Sequence, residues 1–502
     1  MIETIGFVTR DRPVLLRRAV ASAFVHARVH ERSPRLLVVD DSIDRNATLD
    51  ALRSLRVEVS YVGHDEKVAI CARLAASTGV PRAVVELGLF GDAALGFSAG
   101  ANRNALLLAS AGRAVLGLDD DMCCELAVAP GDGDRPLTLS NGEPTAMWFY
   151  GDRVERMHAV RRRNDVDLLA AHEALLGRDL ASLVKDGEPA GTEHFARELQ
   201  HGYGRVAISV SGVHGDCGLS SPLPYLMKGG ATRERLLADY ERHRVAREIL
   251  RVVEAPAITR RAFCMTGAIG LDHRELLPPF LPVGRGEDGV FATTLRLCDP
   301  FGFIGLVPVA VLHDPQGGRT FDPGALVRAF RVSDCVQLLS QAAPFGDPRQ
   351  GLAARLWTLG RYLVDLASRP WAELIERLRE QHGRQLTHHL PACEAMLAEH
   401  PDAPVAWRRD LSRHLVSAVG WARSMDDFLP SELGELPVAD ARARFQRLLL
   451  GYGELLAAWP TLVAAARNQV LPLASSITEP MRYGQVGATC PSEPVETNAS
   501  GM

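Results

Sequence analysis

GFSAGANRNALLLASAGRAVLGLDDDM, residues 96–122, is the stretch on which the fold turns. Residues 96–112 read as a glycine-rich loop entering a helix, and RAVLGLDDDM (113–122) as a strand that stops at three aspartates. The same order stands upstream. TIGFVT (4–9) is a short apolar strand ending at Thr9-Arg10-Asp11-Arg12-Pro13, and Leu16, Val20, Phe24 and Ala27 then recur on one helical face. RLLVVDDS (35–42) is a buried strand ending in two carboxylates. Strand, helix, strand implies parallel pairing through a crossover, so the fold class is α/β: a Rossmann-like mixed sheet, mainly parallel. Ligands of such sheets sit beyond the carboxyl ends of the strands. Thr9-Arg10, Asp40-Asp41 and Asp119-Asp120-Asp121 all fall at such ends, and three polar clusters on one edge of one sheet describe a site.

Working outward, residues 130–200 read as an insertion, dense in Gly, Asp and Pro around 131–144 and charged and helical over 165–200. Strands return at 205–211 and 263–271, a loop and helix start at 282–297, and an apolar run over 303–315 contains His313. After about 325 the pattern becomes helix after helix. The division is 1–325, an α/β domain; 326–472, a helical domain holding five of the six tryptophans; and 473–502, a polar tail expected to be disordered.

The length of 502 residues implies more than one domain. A net charge of -5 gives no global pull toward nucleic acid or an anionic membrane, so nucleic acid is excluded as a partner. The nine cysteines include no CxxC pair and are odd in number, which favours a reducing compartment over a disulfide framework. The N-terminal residues do not read as a signal peptide, and no apolar run is expected to reach the ~20 residues of a membrane span. The expected location is cytoplasmic, with peripheral membrane attachment as the alternative, and the helical domain leaves room for self-association.

Alternation along a strand would place Asp119 and Asp121 on one side of the pleat. Two such carboxylates repel unless a cation lies between them, and hard cations such as Mn2+ or Mg2+ prefer carboxylate oxygen and share sites with phosphate. A solvated acidic loop is the alternative for the same residues.

TIGFVTRDRP, LLVVDDS, GANRN, LGLDDD and GRGEDGVF, in this order, resemble the family-2 glycosyltransferases of the GT-A fold. The resemblance covers about 1–125 and 260–315. It implies a sugar transferred from a nucleotide-diphosphate sugar, UDP favoured, with inversion and with Mn2+ or Mg2+ as cofactor. Thr9 and Arg10 would line the nucleotide pocket, Asp40 or Asp41 would hold the base or ribose, and Arg103 would lie near the pyrophosphate, with Asp120 also on the donor side. Asp119 and Asp121 would hold the metal, with His313 as third ligand by similarity to galactofuranosyl and polypeptide-GalNAc transferases. Glu287 and Asp288 would be the catalytic pair and Asp288 the general base. His214 and Asp216 would face a sugar. The acceptor (glycan, lipid-linked sugar, peptide or small metabolite) is not implied.

The chain departs from the family in lacking Pro-x-x-Asn after its first strand. It also lacks the QxxRW motif and flanking membrane helices of processive synthases, which implies a non-processive transferase. Arg161-Arg162-Arg163 reads as a solvated loop. Two alternatives share the expected fold: a sugar nucleotidyltransferase, whose glycine-rich loop is missing, and a catalytically inactive scaffold, against which the intact carboxylates speak. RLLVVDDS is also similar to a receiver domain, but no suitable lysine follows the later acidic strand.

Overall fold

Residues Thr4–Thr9 alternate: Ile5 and Phe7 enter one core and Val8 the other, so the sheet they join is covered on both faces. The computed structural model describes residues 1–96, 99–131, 135–185, 190–260, 265–315, 317, 319–321, 330–423, 428–469 and 471. Its thirteen strands are β1 Thr4–Thr9, β2 Arg35–Asp40, β3 Ser60–Val62, β4 Ala114–Asp119, β5 Met122–Val128, β6 Thr138–Ser140, β7 Ala146–Tyr150, β8 Arg161–Arg162, β9 Arg205–Asp216, β10 Glu248–Val252, β11 Ala257–Thr259, β12 Ala268–Asp272 and β13 Gly302–His313. The main path is β3-β2-β1-β4-β12-β9-β13-β11-β6, with β10 and β7 branching from β9, and β5 and β8 from β13.

The first four strands of the path are parallel, in the register Thr9↔Asp40 and Val8↔Asp119. Beyond them the sheet differs from expectation. Among the described residues seven of twelve strand pairings are antiparallel, beginning where β12 joins β4. The stretch read as an insertion supplies β6, β7 and β8. Such two- to five-residue segments on the branches and at the far end of the sheet carry too little alternation to be legible. The strand expected over 263–271 begins only at Ala268, and its first two residues lie outside the described ones. The tail 473–502 also lies outside them.

One face of the sheet packs on the Pro13–Val29 helix through Leu16, Ala19, Val20 and Ala23, with proline in its first turn where no amide partner is lost. The other face packs on the Ala99–Ala109 helix and, through it, on the helical region. Leu356, Leu359, Leu455, Leu456 and Trp459 belong to the same buried cluster as Val8, Leu37 and Leu106. Among the described residues 330–469 contain no strand; the helices are Val332–Ser340, Leu352–Ala367, Trp371–Glu399, Val405–Arg423 and Val438–Asn468. The second and last of these cross at Gly360 and Gly453, where a Cβ on either would meet the other's carbonyl oxygen. Trp407 and Trp459 are core residues as expected of apolar stripes, whereas Trp357 is exposed.

The last helix is long and apolar enough to cross a bilayer by length and composition. Its side chains Leu448, Leu449, Tyr452, Leu455, Leu456, Trp459, Leu462 and Val463 are instead buried in this core. The described cysteines, 71, 123, 124, 217, 298, 335 and 393, are all free and buried.

Candidate active site

A cavity of about 1680 Å³ opens at the carboxyl ends of β1, β2 and β4, larger than a single small-ligand pocket of ~300–1,000 Å³. Thr9, Arg10, Asp41, Arg103, Asp119, Asp120, Asp121, Glu287, Asp288 and His313 all line it. Of the expected residues Asp40, His214 and Asp216 do not. Asp40 is turned to its neighbours. Its carboxylate accepts from the Tyr61 hydroxyl on β3 at 2.7 Å and from the Ser42 amide at 2.8 Å. Burial and Asp40 together push the Tyr61 phenol up. The next residue, Asp41, carries its carboxylate into the cavity beside Lys67 at 3.5 Å and Arg10 at 4.0 Å.

Lys67 was not singled out from sequence. It sits on the apolar face of the His64–Thr78 helix with Ile70, Cys71 and Leu74, fully buried, and donates to Asn102 at 2.5 Å. Asn102 in turn donates to the Thr9 carbonyl at 3.0 Å. Burial lowers the Lys67 pKa against the pull of Asp41. A lysine in an otherwise apolar helical stripe was the signal that could have found it.

The aspartate triplet is built by a turn. β4 ends at Asp119, and the chain reverses through Asp120-Asp121 into β5 at Met122. Pleat alternation therefore does not relate Asp119 to Asp121. Asp120 accepts from Thr9 at 2.8 Å, and Arg12 donates to both Asp120 at 3.3 Å and Asp121 at 3.1 Å. Asp119 instead binds Arg103 at 2.6 Å. Burial and Asp121 push Asp120 up to about 7 despite Thr9 and Arg12. Burial would raise Asp121 as well, but His313 and Arg12 hold it at about 2.

His313 reaches Asp121 through sheet register: it pairs with Met122 on β5 and with Gly215 on β9. Its Nε2 lies 3.4 Å from Asp121, and its Nδ1 is 2.6 Å from the Asp216 carbonyl. These contacts raise the His313 pKa although burial lowers it. Asp216 is held by Arg247 through two bonds of 2.7 and 2.8 Å. His214 lies outside the cavity lining, buried against Arg156 at 3.1 Å and the Glu125 carbonyl at 2.9 Å. Arg161 and Arg162 form exposed β8, also away from it.

Glu287 and Asp288 open the Glu287–Cys298 helix, where negative charge suits the macrodipole. Gly286 precedes them at φ 87°, a left-handed position that favours glycine. Arg103 donates to Glu287 at 2.5 Å as well as to Asp119, so its guanidinium is a strut between a strand-end carboxylate and a helix-start one. Asp288 accepts from the Gly289 amide at 2.8 Å. Burial and Glu287 push it up to about 7. Asn104, one residue after Arg103, faces the segment before Glu287. It bonds both the amide and the carbonyl of Phe280, at 2.7 and 3.0 Å, and Phe280 stacks on Phe291 of the Glu287–Cys298 helix at 4.1 Å.

Asp120 and Asp288 are pushed toward neutral pH by burial and by neighbouring carboxylates. A divalent cation would relieve both. Asp121 Oδ2 and His313 Nε2 are separated by 3.4 Å. Neighbouring ligands of one hard cation lie about 3 Å apart for bonds near 2.1 Å. This pair therefore fits a metal. Asp119 could join only by leaving Arg103; among the described residues the three are not gathered tightly enough to ligate one ion as they stand. No family model and no curated protein matches the chain.

Proposed function

We propose that the chain is a GT-A-type, non-processive, inverting glycosyltransferase that uses a nucleotide-diphosphate sugar, UDP favoured, with Mn2+ or Mg2+. The observation that carries the reading is the meeting of two carboxylate clusters across Arg103: the strand-end aspartates on one side and the helix-start Glu287-Asp288 on the other. Donor binding and proton removal need separate carboxylates within one cavity, and this arrangement supplies them.

In this reading Thr9, Arg10 and Asp41 receive the nucleoside. Asp121 and His313 would hold the metal, with Asp119, bonded to Arg103, on the same cavity wall. Bound Mn2+ or Mg2+ would offset the charge on the departing diphosphate. The acceptor oxygen attacks the anomeric carbon as the bond to the diphosphate breaks; its proton passes to Asp288, and the electron pair leaves with the nucleoside diphosphate. Burial and Glu287 raise this carboxyl above the usual carboxylate range, which suits it to accept a proton. The helical region lines the same cavity with Ser333, Gln337, Gln341 and Gln385, hydroxyl and amide groups suited to a hydroxylated acceptor.

The test is a donor screen with UDP- and GDP-sugars that follows nucleotide release with and without Mn2+. We expect metal-dependent release that Asp121→Ala abolishes without unfolding. Release by Asp121→Ala equal to wild type, or no release from any donor, would overturn the reading.

A further inference from the structure

A second group of donor atoms lies away from the carboxylates. His389 and Cys393 are four residues apart and share one face of the Trp371–Glu399 helix; His414 faces them from the Val405–Arg423 helix. The two Nε2 atoms are 2.7 Å apart, and the Cys393 thiol is 3.7 Å from His389 Nε2. Met227, from a third segment of the chain, brings its thioether 4.0 Å from that thiol. Every pair among the His389, Cys393 and His414 donor atoms lies within 4.8 Å, and no carboxylate belongs to the group.

We infer that His389, Cys393, His414 and Met227 form a binding site for a late transition-metal ion of the Zn2+ type. The inference is independent of the sugar-transfer reading. Two imidazoles, a thiol and a thioether are borderline-to-soft donors that select zinc, cobalt or cuprous copper over Mn2+ and Mg2+. With Zn–N ~2.0–2.1 Å and Zn–S ~2.3 Å, tetrahedral edges are roughly 3.3 Å for N–N, 3.6 Å for N–S and 3.8 Å for S–S. The observed 3.7 and 4.0 Å edges match, and the two imidazoles need to part by about half an ångström. Cys393 is fully buried in a cluster with Leu226, Met396, Trp407 and Leu411, a dry shell that strengthens such a site. On binding, the thiol proton goes to solvent and the sulfur ligates as thiolate.

The ion would tie two helices of the helical region to Met227. That residue directly follows the short Leu223–Leu226 helix, whose Leu223 and Pro224 line the cavity. The site is thus a clip between the helical region and one cavity wall.

The test uses the full chain, stripped of metal and titrated with Co2+, then with Zn2+ in competition. We expect one Co2+ per chain with a thiolate-to-cobalt charge-transfer band in the near ultraviolet, displaced by Zn2+, and a raised melting temperature with either ion. Cys393→Ser should lose the band and weaken Zn2+ binding by at least about a hundred-fold, since even outer-shell partners are worth 10–100-fold. His414→Gln, a less buried position, is the second variant should the first misfold. A wild-type chain with no thiolate band at one equivalent overturns the inference, and so does a band that survives Cys393→Ser. Either result would leave the pair of histidines as a simple imidazole–imidazole hydrogen bond.

Discussion

Replacing Asp288 by asparagine separates binding from chemistry. The substitution keeps an oxygen in place to accept from the Gly289 amide, a bond of 2.8 Å, so the helix start should hold its shape. What it removes is a carboxylate with a pKa about 7. In the wild type burial and Glu287 raise this carboxyl above the usual carboxylate range, so transfer by a general base should rise between pH 6 and pH 8. The variant should lose ~10²–10⁴-fold in rate and show no rise over that interval. That loss corresponds to about 3–5 kcal/mol of barrier. Affinity for UDP and Mn2+, read by calorimetry, should stay within about threefold, because the missing interaction is made in the transition state. Stability should move the other way. A carboxyl whose folded pKa lies above its unfolded value destabilises the fold increasingly as pH rises from about 4 to about 7. The variant should therefore melt higher than wild type at pH 8, with the gap closing near pH 4. Near-normal transfer at saturating donor would remove Asp288 from the mechanism. Loss of UDP binding in proportion to loss of rate would make it a donor ligand instead.

Two further outcomes follow from the packing. Arg103→Met leaves Glu287 buried without its cation and should cost ~3–5 kcal/mol in urea unfolding, partly recovered by adding Glu287→Gln; a cost below about 1 kcal/mol would mean the guanidinium is not a strut. Gly360→Ala puts a methyl against the Gly453 carbonyl and should destabilise by ~1–3 kcal/mol, whereas Gly383→Ala, with open space around its Cβ, should stabilise by ~0.5–1 kcal/mol; equal thermal shifts for the two would contradict the helix crossing.

The halves of the site differ in how far sequence alone could reach. β1, β2 and β4 announce themselves because each is an apolar run that stops at charges, and the ligand-bearing edge follows from parallel pairing. Asp40 and Asp41 could not be told apart, since the choice depends on Tyr61 standing two strands away from the cavity's first strand. The turn at Asp120-Asp121 was hidden because Met122–Val128 resumes as a strand at once, without the Gly or Pro that usually marks a reversal. Arg12 passed as a loop residue and Lys67 drew no reading at all until tertiary packing brought them to the carboxylates. His389 and Cys393 show the spacing of ligands on a helix, but His414 completes the group from a separate helix 25 residues on, beyond any local pattern.

The tie between Trp459 and the segment before Glu287 has a consequence in time. The indole N–H donates to the Leu277 carbonyl at 2.8 Å, three residues before the Phe280 that Asn104 holds. During synthesis the strands and their acidic residues leave the ribosome well before that indole. At ~5–20 residues per second, the stretch from 325 to 459 takes roughly 7–27 s to make. Through that interval Leu106, Phe280 and Phe291 lack the helix that completes their core. A nascent chain in this condition offers apolar surface to chaperones, and ribosomes stalled before residue 459 should carry chains far more sensitive to protease around 276–300 than those stalled after the helix has emerged.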